Sequence, residues 1–308
     1  MPRKRKGNPI HGWLSIDKPL GISSSAVVGR VRRALNAQKA GHGGTLDPLA
    51  SGILPVALGE ATKTAGYLMG ARKTYRFDVT FGEARATADA EGEILKTSDI
   101  RPSFQEISAV LTDFLGTIEQ MPPAYSALKV DGKRAYELAR AGKEVALKAR
   151  TIQIHRLDLL GVEGATATFE TDCGKGTYVR SLAVDIAEKV GAVGYVSALR
   201  RLRVGPFDEN NAITLENLDA LGHSAAAEAH LLPVETPLDD IPAVAVTDAD
   251  VPRLKNGMAI HQRAEAGGPQ SPKGEPLVLC TSEKGRPVAL CEIAQGVCQP
   301  IRVFNLPD

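Results

Sequence analysis

Apolar residues take alternate positions from Lys73 to Phe81, so Tyr75, Phe77, Val79 and Phe81 share one face. That period predicts a strand with this face turned inward. The unbroken apolar run over 53–58 predicts a strand covered on both sides. A shorter strand is expected at 13–16, closed by Lys18-Pro19 and Gly21. Helical spacing appears at Val27, Val28, Val31, Ala34 and Leu35, predicting a helix capped by Ser23 or Ser24 and running to Leu35. It returns at Val179, Leu182, Ala183, Ile186 and Val190, giving a helix over 178–190. A further helix is predicted over 60–69. Ser103 with Glu106 forms a capping box for another, running to Leu115. Strands are expected at 150–160, 166–172 and 193–204. The stretch 82–92 is an acidic, turn-rich loop. The stretch 122–129 is an extended crossing, followed by an Asp131-Gly132 turn and a short helix over 134–141.

The pattern changes after Asp208. Residues 208–240 are acidic and partly helical, and end in a proline-containing connector over 233–242. Short strands at 243–247, 277–281, 287–293 and 300–304, with one helix over 248–256, predict a small β-barrel-like module. A chain of 308 residues exceeds the size at which one core usually stops growing. The reading is a disordered basic arm over 1–11, a main domain over 12–240 and a β-rich module over 241–308.

Composition, 43% hydrophobic and 24% charged, is that of an ordinary globular protein. No apolar run approaches the ~20 residues that span a bilayer, and the basic N-terminus lacks the apolar core of a signal peptide. Cys173, Cys280, Cys291 and Cys298 form no CxxC pair, so reduced thiols in a cytoplasmic protein are expected and a zinc site is not. The net charge of +1 hides a segregation. Residues 3–39 carry a balance of +8, residues 129–156 of +5 and residues 175–203 of +4, whereas 208–250 holds ten Asp/Glu and no Lys/Arg. Such segregation can build one basic face on a near-neutral molecule, as nucleic-acid binding requires.

The densest punctuation lies in GHGGTLDPLASGILPVALGEATK, residues 41–63. Glycines around His42 permit close backbone approach. Asp47, before Pro48, is the only ionisable residue between His42 and Glu60, and a lone carboxylate in an apolar loop needs a partner or a task. Asp-Pro is also an ordinary helix start. The glycines match neither GxGxxG nor GxxxxGK[ST], so no nucleotide-phosphate loop is indicated. Arg180 stands in the first turn of its helix, the unfavourable end of the dipole for a cation, and calls for an external or carboxylate partner. Tyr75 by its period alone is a core aromatic.

This stretch resembles the catalytic signature of the bacterial tRNA pseudouridine synthases of the TruB type. Tyr75 in KTYRF and Arg180 in GTYVRSLA match the same family, as do IDKPLGISS, DAEG at 89–92, PPAYSALKVDGKRAYELAR and SALRRLRVG. The matches span residues 12 to 207. One position departs: Arg85 stands where family members often carry threonine. The resemblance implies an α+β fold with a mixed, largely antiparallel central sheet, and a C-terminal PUA-like RNA-binding domain. It implies isomerisation of uridine 55 in the tRNA T-loop, with no redox cofactor and no metal, since no electrons or groups enter or leave. Asp47 would act at the ribose as nucleophile or base. Tyr75 would serve as general base at C5 or as a stacking group, and Arg180 would keep Asp47 ionised. His42 would prop the space left by the flipped uridine, Tyr178 and Leu199 would pack on the base, and Lys18 would be structural or hold phosphate. The expected partner is tRNA and the expected state a monomer. Two alternatives are a non-catalytic tRNA-binding or tRNA-folding protein and a synthase for another RNA.

Overall fold

The computed structural model describes residues 6–126, 129–130, 133–134, 147–222, 225–261, 269–271 and 274–307. In it the covered run and the alternating run enter one sheet. The strands in chain order are β1 (Gly12–Lys18), β2 (Ala40–His42), β3 (Ala50–Leu58), β4 (Lys73–Phe81), β5 (Glu83–Arg85), β6 (Ile94–Thr97), β7 (Gly116–Gln120), β8 (Lys129–Val130), β9 (Lys133–Arg134), β10 (Arg150–Glu163), β11 (Thr166–Cys173), β12 (Gly194–Val204), β13 (Phe207–Asp208) and β14 (Ala212–Thr214). The large sheet runs β14-β1-β3-β12-β4-β11-β10-β7, with β13 on β12 and β2 on β3. Only β1/β14 and β3/β12 pair in parallel within it; its other pairings are antiparallel. The fold is α+β with a mixed, largely antiparallel sheet.

Strand β12 sits between β3, which follows the Asp47 loop, and the alternating strand β4. It pairs with β3 through Leu199↔Ala50 and Arg201↔Gly52, and with β4 through Arg201↔Tyr75. Gly52 permits this approach. Its φ is +99°, and a Cβ there would lie 2.2 Å from the Arg201 carbonyl oxygen, so a larger residue cannot occupy the site without moving a strand.

As the period predicts, Tyr75, Phe77, Val79 and Phe81 are all buried, and Phe77 stacks on Phe169 of β11 at 5.2 Å. The helices Ser24–Ala34 and Val179–Lys189 cover the same core through Val27, Val31, Leu182 and Ile186. A second cluster joins Trp13, Ile53, Ala57 and Phe207 to Leu277, Leu279, Leu290 and Phe304. The C-terminal sheet comprises β15 (Ala243–Ala245), β16 (Ile260–His261), β17 (Leu277–Thr281), β18 (Pro287–Ala294) and β19 (Val297–Val303), in the order β15-β17-β18-β19-β16. It therefore shares a core with the main domain.

Several expectations are corrected. Residues 6–11 are no free arm: Asn8 N donates to Asn36 O at 2.6 Å, and Gln38 N donates to Asn8 O at 3.0 Å. The helix expected over 60–69 is a 3-10 turn, Gly59–Lys63, then the helix Ala65–Gly70, with Thr64 Oγ1 bonded back to Ala61 O. The capping box of Ser103 and Glu106 is present, but the α-helix ends at Val110 and continues as 3-10. The 82–92 loop contains β5, which forms a hairpin with β6. The Asp131-Gly132 turn is flanked by the paired β8 and β9; the two turn residues and most of the expected 134–141 helix lie outside the described residues.

Candidate active site

The loop bearing Asp47 is fastened by its neighbours at three points. Ser23 caps the first helix, accepting from Ala26 N at 3.2 Å. That frees Ser24, whose Oγ accepts from Leu46 N and donates to Leu46 O, both at 2.8 Å. Beyond Asp47, Pro48 O accepts from Gly21 N at 2.8 Å and from Lys18 Nζ at 3.4 Å. Ahead of it, Arg201 donates from Nη2 to Gly44 O at 3.2 Å and from Nη1 to Thr45 O at 3.3 Å. The Asp47 carboxylate is thus carried on a backbone fixed on both sides, while its side chain remains 47% exposed.

Arg180 meets that carboxylate: Nη2 lies 2.9 Å from Asp47 Oδ2. Its guanidinium is buried and also reaches Asp89 Oδ2 at 3.3 Å, Thr87 O at 2.9 Å and Tyr125 O at 2.9 Å. The cation at the unfavourable end of its helix therefore has two carboxylates and two carbonyls around it, which offset the dipole and the burial. Charge-assisted bonds of this kind orient a carboxylate more strongly than neutral ones. Asp89 is held by Thr87 Oγ1 and by Glu91 N. Gln120 fastens the other side of the helix start, accepting from Tyr178 N at 2.8 Å and donating to Tyr178 O at 3.1 Å.

Asp47, Tyr75, Arg180, Tyr178 and Leu199 line one cavity of about 390 Å³, within the usual size range of ligand sites. Lys73, Ser126, Arg150 and Arg201 also line it. Burial pushes the Tyr75 phenol up, and the charge of Arg201 works against that rise. Lys73 is lowered to about 8, first by burial and then by Arg201; its ammonium donates to Ala71 O at 2.8 Å. Burial raises the Cys173 thiol to about 11. Ser126 Oγ and Arg150 Nε are buried without a protein partner, leaving two polar atoms unsatisfied in the cavity wall. The Arg150 guanidinium lies 5.9 Å from the Tyr178 ring centre.

Leu199 is the wall shared with a neighbouring cavity of about 320 Å³ between Leu20, Leu49, Arg76 and Arg200. His42 lies on β2, outside the group that lines the Asp47 cavity; its Nδ1 accepts from Gly44 N at 3.4 Å, and burial followed by Arg201 lowers its pKa. Of the two roles expected for Lys18, its contacts fit the structural one. It is fully buried, and its ammonium donates to Pro19 O and Ile22 O at 2.9 Å as well as to Pro48 O, leaving no hydrogen free for a phosphate. Arg85 pairs with Glu83, donates to Ala90 O at 2.9 Å and lies 4.3 Å from the Tyr195 ring centre. It braces the loop that carries Thr87 and Asp89.

Comparison with known families decides the assignment. The profile described as "TruB family pseudouridylate synthase (N terminal domain)" matches residues 32–179, and that described as "tRNA pseudouridylate synthase B C-terminal domain" matches residues 180–239. The tRNA pseudouridine synthase B of Caulobacter sp. (strain K31) is 50% identical over 99% of this chain and 100% of its own. That of Rhodospirillum rubrum is also 50% identical, with the same coverage. The chain belongs to the TruB family of tRNA pseudouridine synthases. It is an isomerase that converts uridine to pseudouridine in tRNA. Among solved structures it is similar to a Cbf5-Nop10-Gar1 complex (TM-score 0.71, 28% identity, 96% of this chain and 84% of that one). It is also similar to an H/ACA RNP bound to a substrate RNA containing 2'-deoxyuridine (TM-score 0.72, 26% identity, 100% and 92%). In this TruB-family chain, the sequence signature around Asp47 and the separate signatures around Tyr75 and Arg180 meet at one cavity. Among the described residues no helix is long and apolar enough to cross a membrane.

Proposed function

We propose that the enzyme acts on the T-loop of tRNA, at uridine 55, and that Asp47, Tyr75 and Arg180 carry the reaction. The tRNA target rests on the full-length likeness to tRNA pseudouridine synthase B, and the observation that carries the residue roles is the 2.9 Å contact of a buried Arg180 with an accessible Asp47 at the wall of the cavity containing Tyr75. The reaction breaks N1–C1′, turns the uracil, joins C5 to C1′, moves the C5 proton away and leaves a proton on N1. All atoms stay within substrate and solvent. Asp47 acts at the ribose in its ionised form, either adding to C1′ or taking a sugar proton, and Arg180 holds it there. Tyr75 receives the C5 proton or stacks on the uracil. Tyr178 and Leu199 pack on the base, and His42 props the loop from which it is drawn. Lys73, Arg150 and Arg180 give the cavity the positive character that an RNA backbone meets.

The same reading assigns residues 12–240 to catalysis and residues 241–308 to a PUA-like RNA-binding module, in a monomer working in the cytoplasm. Four buried free cysteines fit a reducing compartment. Tritium release from [5-³H]uridine-labelled, unmodified tRNA tests the assignment. Asp47→Asn should release none while holding tRNA within about threefold of the wild type, because Asp47 lies half-exposed and its loop is fastened by other residues. Turnover by the variant would refute the role of Asp47. Release from tRNA in which only position 55 cannot react would refute the site.

A further inference from the structure

We propose that Arg201 is a positioning residue for the isomerisation: its guanidinium ties the turn ahead of Asp47 to the Tyr75 phenol and supplies the positive charge against which that phenol works as a base. The proposal rests on the reading of Tyr75 given above and adds a second arginine to the chemistry.

Three observations carry it. First, Arg201 is 1% exposed, yet no Asp or Glu among the described residues forms an ion pair with it. Its fixed acceptors are Ile53 O at 2.7 Å, Thr45 O and Gly44 O. A buried guanidinium without a carboxylate is costly to keep, and a hydrophobic residue would fill a sheet interior at less expense. Second, Arg201 stands directly opposite Tyr75 in the β12/β4 register and lines the cavity with it. Two of its carbonyl acceptors lie within three residues of Asp47, so one side chain bonds the Asp47 loop and stands on the same sheet face as the phenol. Third, its charge is felt by Lys18, His42, Lys73 and Tyr75, and it disfavours a proton at each. The cavity that Tyr75 lines also holds Lys73, Arg150 and Arg180, but the groups whose charge bears on its phenol are Arg201 from β12, Cys173 from β11 and Asp47 from the loop. Cys173 and Asp47 both oppose ionisation of the phenol, and Arg201 alone among the three favours it.

Single-turnover tritium release, measured against pH for wild type, Arg201→Gln and Arg201→Lys, tests the proposal, with tRNA affinity and thermal melts alongside. Arg201→Gln should slow the chemical step about 100-fold at neutral pH, the scale of a general-base contribution. Affinity for tRNA should not change, and part of the rate should return as the pH is raised. Arg201→Lys, which keeps the charge, should recover most of the loss. A loss equal in the two variants and independent of pH would overturn the proposal and leave Arg201 as a purely structural residue. If Arg201→Gln does not melt cooperatively, the guanidinium NMR signals of Arg201 in wild type and Tyr75→Phe serve instead. A shift of those signals on loss of the hydroxyl supports the link, and identical signals overturn it. Wild type that releases no tritium would sink the reading of the site itself, whereas active wild type with pH-independent losses sinks only the role of Arg201.

Discussion

The side chain of Ser24 closes two hydrogen bonds on one residue, accepting from the N–H and donating to the C=O of Leu46, directly before Asp47. Removing a partner from a buried backbone group costs about 1–3 kcal/mol, so Ser24→Ala should lower stability by about that amount and slow single-turnover release roughly tenfold with tRNA affinity unchanged. A variant that melts and reacts like wild type would show that the loop is held without it. Lys18 makes a prediction about pH. Its folded-state pKa is about 8 against an ordinary 10.5, because the charged form is buried. The folded chain therefore binds this proton less tightly than the unfolded one. Stability rises with pH across that window, by no more than about 1.4 kcal/mol per pH unit. Melts of wild type and Lys18→Met between pH 8 and 10.5 should show wild type gaining on the variant as pH climbs; parallel curves would contradict the shift. Asp47, Arg180 and Tyr75 could be picked out in the sequence because each sits in a local anomaly or a strong motif. Asp89 appeared only as part of a motif. Ser24 and Arg201 likewise appeared only inside longer matched stretches, Ser24 also as a cap candidate, and Gln120 appeared in none; what Ser24, Gln120 and Arg201 hold lies 22, 58 and more than 140 residues away, so no local pattern shows it.

Among the elements, the hairpin of β5 and β6 is the one whose placement matters most for the site and was least visible beforehand. Its sequence, rich in acidic and small residues, reads as a loop. It becomes a hairpin because the Gly82 and Gly92 corners and the Arg85 contacts close it over Tyr195. Arg85 is also where the chain departs from the family pattern. A solvent-screened ion pair and a surface cation–π contact each contribute little to global stability. Arg85→Thr should therefore leave the melting temperature nearly unchanged. Amide exchange over residues 83–97 should quicken, and turnover should fall about threefold as Asp89 and Thr87 hold Arg180 less firmly. Unchanged exchange in that segment would show that the hairpin is braced from elsewhere. Elements with a strong period, β4 and the helices Ser24–Ala34 and Val179–Lys189, were legible because burial on one face fixes both type and extent. The break at Thr64 was not, because it depends on a threonine hydroxyl turning back to Ala61 and reaching Val234 O at 3.0 Å.

At the scale of the molecule, the C-terminal sheet is joined to the main domain by more than a connector. Leu277, Leu279, Leu290 and Phe304 pack in one cluster with Trp13, Ile53 and Phe207. Lys63 Nζ donates to Val303 O at 2.7 Å, and Asn305 N donates to Glu60 Oε2 at 2.7 Å. The change of pattern near residue 240 revealed the module but not this shared core, since each strand's apolar residues look the same whether they face their own sheet or a neighbouring domain. Cutting the chain after Asp240 is therefore a poor test of RNA binding. It would bare large apolar side chains worth about 1.5–3 kcal/mol each when buried, and the remaining 240 residues should lose their cooperative melt. Whether the module takes part in binding is better read from its exposed cations, among them Lys255 and Arg302. Replacing Lys255 and Arg302 by Glu should leave the melt and the single-turnover rate at saturating tRNA unchanged. Affinity should fall about tenfold at low salt, and by less as salt rises, since phosphate contacts carry the salt dependence of binding. Affinity equal to wild type across the salt series would remove these two cations from the tRNA surface, with the Asp47 cavity untouched by the result.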